Sequence, residues 1–93
     1  MSLNIVTIET SVDVLTQIHH LYVQRFNDPV YLTPGDPNTT HYYLTFNSRV
    51  TAYCDFKQEL EYEGTKYNNT IWDLCRLDDN QYKGHGLLLL ELI

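Results

Sequence analysis

Positive charge is scarce in this sequence. Six Lys and Arg stand against twelve Asp and Glu in 93 residues, a net charge of −6. Proteins that hold nucleic acid do so by neutralising phosphates with Lys and Arg, so that function class is disfavoured. Docking on anionic membranes is disfavoured for the same reason. Cysteine is also scarce. Cys54 and Cys75 are too few for a disulfide scaffold, and a reduced, cytoplasmic setting is expected (the interior of the host cell if the source is viral). No apolar run approaches the ~20 residues of a membrane helix. The opening Met1-Ser2-Leu3-Asn4-Ile5-Val6 has neither the basic start nor the apolar stretch of a secretory signal. Proline is confined to positions 29, 34 and 37, so nothing else in the chain is punctuated as a linker. What the sequence has in excess is tyrosine, eight against one Trp and three Phe. Tyrosine fits half-buried strand faces and protein interfaces alike.

Length and periodicity lead to residues 1–93 as one α/β (α+β) domain. Leu3 to Glu9, rich in β-branched residues, predicts a first strand. Val12, Leu15, Ile18, Tyr22, Val23 and Phe26 then recur at three- and four-residue steps, an amphipathic helix capped by Thr10 or Ser11 and stopped before Pro29. A proline-bearing loop covers 27–39. His41–Phe46 predicts a second strand and Asn47-Ser48-Arg49 a tight turn. Val50, Ala52, Cys54 and Phe56 alternate with Thr51, Tyr53, Asp55 and Lys57, which predicts a half-buried third strand with the first set inward. Thr70–Leu77 predicts a fourth strand, and the apolar segment after Gly84 a closing helix. The expected order is β-α-β-β-β-α, a mostly antiparallel sheet. A hairpin turning between Gly64 and Thr65 would set Cys54 opposite Cys75, both as reduced, buried thiols.

The segment with chemical potential is Gln81-Tyr82-Lys83-Gly84-His85-Gly86, between a strand and an apolar helix. Two glycines one residue apart let a ligand approach the backbone closely. The following helix aims free N–H groups and its positive dipole end at the same place, which suits a phosphate or pyrophosphate. Lys83 adds a positive charge. The competing reading is a glycine-rich helix start with no ligand. His19 and His20, adjacent on a helix, point about 100° apart and cannot readily share a metal, so no metal is expected.

Gln81, Gly84 and Gly86 fill a pattern of Arg or Gln, two residues, Gly, one residue, then Gly or Ala. This resembles the acyl-CoA-binding motif of the GNAT family of N-acetyltransferases. The strand before it and the β-α-β-β-β-α order look like that family too. The resemblance implies acetyl-CoA as co-substrate, its pyrophosphate held by the loop Gln81, Tyr82, Lys83, Gly84, His85, Gly86 and Leu87, with backbone N–H groups from Tyr82 to Leu87. It implies a pantetheine arm along the fourth strand at Leu74, Cys75 and Leu77. It implies a carboxylate general base on that strand, for which Asp73 is the best match; Glu59 and Glu61 are weaker ones. Measured against the family pattern, the chain is expected to be a minimal GNAT-like domain lacking the usual C-terminal strand and helix, so no tyrosine acid can be assigned.

Two functions follow as expectations. One is transfer of an acetyl group from acetyl-CoA to an amine of a protein or small molecule. The other is a catalytically inactive binding module, a small acidic inhibitor of a basic partner protein such as phages direct against host defences, anti-CRISPR proteins included. An apolar last helix and an unpaired fourth strand further predict a homodimer or a basic protein partner rather than a lone monomer.

Overall fold

The computed structural model describes all residues, Met1–Ile93, and runs β1 (Ser2–Ile5), α1 (Val12–Phe26), β2 (Thr39–Phe46), β3 (Arg49–Tyr62), β4 (Thr65–Arg76) and α2 (His85–Leu92), with a 3₁₀ turn at Asn80–Tyr82 before α2. The four strands form one sheet in the order β1-β2-β3-β4, every pair antiparallel. The α+β class and element order are therefore as expected. No helix is long and apolar enough to cross a membrane.

β1 is shorter than the β-branched run suggests. The Thr10 hydroxyl accepts from the Thr7 N–H at 2.8 Å, and the Thr10 N–H donates to the Thr7 carbonyl at 3.2 Å. Local hydroxyl bonding thus captures the backbone that a strand would need, leaving Ile8 exposed. Ser11 caps α1 by accepting from the Val14 N–H. Asn27 ends it in the left-handed region, at φ 56°, with its N–H on the Val23 carbonyl, two residues before Pro29 takes effect. Ile18 and Leu21 are fully buried, whereas Val12 is exposed.

Adjacent residues on a strand point to opposite faces, and here both faces are covered. Tyr43, Val50, Tyr53 and Cys75 pack with Ile18 and Leu21 of α1. Leu44, Ala52 and Cys54 pack with Leu89 of α2. The expected half-buried β3 is thus corrected: Thr51, Tyr53 and Asp55, assigned outward, are buried along with Val50, Ala52 and Cys54. The loop after α1 packs Val30 and Leu32 onto the α1 side. β4 pairs with β3 alone and, like β1 at the other side, is an edge strand.

Two-residue turns with positive φ join β2 to β3 (Asn47, Ser48) and β3 to β4 (Glu63, Gly64), the geometry that matches strand twist. The second turn pairs Tyr62 with Thr65, and a bulge follows: β3 advances from Tyr53 to Asp55 while β4 advances from Trp72 to Cys75. Asp73 sits in the bulge with φ 58°. The expected register of Cys54 opposite Cys75 is therefore wrong. Cys75 pairs with Tyr53, and the two thiols lie on opposite faces of the sheet. Both are free and buried.

Candidate functional site

The topology makes a concavity beside the sheet edge. Its volume is about 580 Å³, and it lies where the β4 edge meets the end of α1 and the start of α2. Leu74, Cys75 and Arg76 form the strand wall; Gly84, Gly86, Leu87 and Leu90 form the helix wall; Gln24, Arg25 and Asp78 close the sides. Two of the chain's six cations, Arg25 and Arg76, are thus brought to one cleft in an acidic molecule. Arg76 is fixed by donating from Nη1 to the Leu77 carbonyl at 2.9 Å.

The start of α2 keeps unpaired donors. Gly84 adopts φ 91°, which a residue with a Cβ rarely takes, and its carbonyl receives the Leu88 N–H. The N–H groups of Gly84, His85, Gly86 and Leu87 have no acceptor in the protein, as the first turn of a helix requires. A Cβ added at Gly86 would meet nothing within 4 Å, so this face is open.

The sequence-derived site residues divide in two. Leu74, Cys75, Gly84, Gly86 and Leu87 converge on the cleft. Lys83 is exposed beside it. The others are occupied elsewhere. Tyr82 and Leu77 are core residues on the α1 side. The N–H groups of Tyr82 and Lys83 already donate to the Asp79 and Asn80 carbonyls, so the expected donor run from Tyr82 shrinks to Gly84–Leu87. Gln81 donates its side chain to Asp79 at 3.0 Å. His85 meets the Thr51 hydroxyl through Nδ1 at 2.8 Å and stacks edge-on with Phe46 and Tyr82. Glu59 and Glu61 pair with Asn68 and Lys66 on the exposed part of the hairpin, four or more positions from the residue facing the bulge, and so are not beside Asp73.

Asp73 does not line the cleft; it precedes the three strand residues that do. Its half-buried carboxyl faces Asp55 of β3 and Tyr22 of α1. Burial first, and the Asp55 carboxyl second, push it up to about 6. Asp55 behaves oppositely. Burial works against its charge, but hydrogen bonds from His41 and Tyr53 outweigh that and hold it below the usual carboxylate range. Thr33 donates its N–H to His41 Nε2 at 3.0 Å, which leaves the ring proton on Nδ1, 2.6 Å from Asp55 Oδ1. The His41–Asp55 contact is therefore a hydrogen bond from a neutral imidazole to a carboxylate, and Tyr53 donates to the same oxygen. This network was missed in the sequence because Tyr53 and Asp55 fell on the face assigned to solvent. Burial also pushes both thiols up to about 12, with Asp55 adding to the shift at Cys54 and Asp73 to that at Cys75, so Cys75 in the cleft wall is no nucleophile.

No family model, curated protein or solved structure matches this chain.

Proposed function

We propose that the cleft binds acetyl-CoA or a closely related acyl-CoA, and that the chain transfers the acyl group to an amine. The observation that carries the reading is the pairing of its two walls: an unpaired strand edge at Leu74–Arg76 opposite unpaired helix N–H groups at Gly84–Leu87. A pyrophosphate suits the helix start, where donors and dipole coincide. An amide-bearing pantetheine arm suits a strand edge, which offers both N–H and C=O partners. Arg25 and Arg76 supply counter-charge, and the volume falls within the ~300–1,000 Å³ of small-molecule sites.

In the transfer, the amine nitrogen attacks the thioester carbonyl carbon. The developing oxyanion is stabilised by β4 backbone N–H groups, the C–S bond breaks, and the thiolate leaves. The proton lost by the amine passes through water to Asp73, which lies beside the cleft wall and whose carboxyl, pushed up to about 6, is ionised and able to accept it at neutral pH. Calorimetric titration with coenzyme A tests the reading. Binding is expected for the unaltered chain, and Gly86→Val should weaken it about tenfold or more while leaving the fold intact, because the added side chain enters open space where the ligand approaches. Absence of binding at millimolar coenzyme defeats the reading. Binding without turnover of acetyl-CoA on any amine assigns the chain to the non-catalytic alternative.

A further inference from the structure

Behind the β4 bulge lies a polar cluster that no cleft residue needs. Asp55 is 4% exposed, and His41 and Tyr53 are still less so. Both donors converge on Asp55 Oδ1, and no hydrogen bond in the protein ends on Oδ2. His41 and Tyr53 thus leave the second oxygen of Asp55 free to meet another group. The bulge brings a second carboxyl to it. In regular pairing Asp55 faces Trp72; the extra residue turns Asp73 to the same side, where it faces Asp55.

We propose that Asp55 is a positioning residue for Asp73: the two carboxyls hold one proton between them, carried on Asp73 and directed at Asp55. Two carboxylates this close cannot both ionise freely, and the neighbours decide which one does. His41 from β2 and Tyr53 from β3 donate to Asp55 and keep it charged. Tyr22 from α1 and Lys57 from β3 favour the charged form of Asp73, but more weakly than burial and Asp55 oppose it. Cys75, two residues along β4, stays a neutral thiol and adds no charge. Once the shared proton is lost, above about pH 6, the bulge becomes a proton-accepting position immediately before the cleft-lining Leu74 and Cys75. Its use as a base rests on the acyl-transfer reading; the shared proton does not.

The test is carboxyl carbon NMR across a pH titration of the full chain, with coenzyme binding measured separately. In the native protein the Asp73 resonance should titrate near 6, while that of Asp55 stays charged to well below it. Asp55→Asn should lower the Asp73 midpoint by about one pH unit or more, by removing the charge it shares a proton with. Should that variant fail to fold, Tyr53→Phe carries the test: with one donor gone, Asp55 should begin to titrate together with Asp73. An Asp73 midpoint near the ordinary ~4 in the native chain overturns the proposal. So does an Asp73 midpoint unmoved by Asp55→Asn, or an Asp55 resonance unmoved by Tyr53→Phe. A chain that shows the paired titration yet binds no coenzyme keeps this inference and loses the functional one.

Discussion

Asp73 is the residue on which stability and chemistry pull apart. Its carboxyl binds a proton more tightly in the folded chain than in the unfolded one, so its ionised form costs stability above about pH 6, and the cost fades as pH falls toward 4. A shift of about two units would correspond to about 3 kcal/mol if fully buried; half-exposed, the side chain is screened and about 1 kcal/mol is expected. Asp73→Asn should therefore stabilise the protein by about that much at pH 8 and by little or nothing at pH 4. Asparagine also tolerates the positive φ of the bulge, and its amide can donate to Asp55 in place of the shared proton. Denaturant unfolding at the two pH values checks this; a variant less stable at pH 8 contradicts it. Asp55 has the opposite sign. Its folded value is depressed, so its contribution is present above about pH 4 and is lost in more acidic solution.

At the scale of elements, β3 and β4 explain most of what the chain hides. Each thiol is sealed beneath a different helix, Cys54 under α2 and Cys75 on the α1 side. With both pushed up to about 12, neither should react with a thiol reagent at pH 8 in the native protein, whereas two labels per chain should appear after unfolding without reductant. Mass spectrometry distinguishes this from a crosslink, which would give none. The order of elements was legible because period and caps agree: Ser11 before an apolar helix, and positive-φ turns at Asn47-Ser48 and Glu63-Gly64 between alternating strands. Which face of β3 is inside was not legible. Alternation marks one buried face, but a strand covered on both sides buries Tyr53 and Asp55 beside Ala52 and Cys54. The register was lost at the turn, which centres on Glu63-Gly64 rather than between Gly64 and Thr65 and so shifts the pairing by two residues; the bulge at Asp73, which nothing local in Trp72-Asp73-Leu74 announces, recovers only one of them and leaves Cys75 opposite Tyr53. Of the site, the glycine pair was readable as a helix start. Arg25 was not, since only the packing of α1 against β4 carries it to the cleft.

For the whole molecule, the pattern of charge and covering is uneven in a telling way. A chain of net charge −6 places Arg25 and Arg76 together at a cleft of about 580 Å³, on an unpaired sheet edge beside a helix start with unpaired donors. A small anionic ligand with an amide-bearing arm satisfies all three features at once. Amide NMR of the isotopically labelled chain during titration with coenzyme A tests this most directly. Saturable shifts confined to Gly84–Leu87 and Leu74–Arg76, with downfield movement of the helix-start amides as they meet phosphate oxygens, are the predicted result. A spectrum unchanged at millimolar coenzyme, or shifts centred on another surface such as the β3–β4 hairpin around Glu59–Asn68, would contradict it.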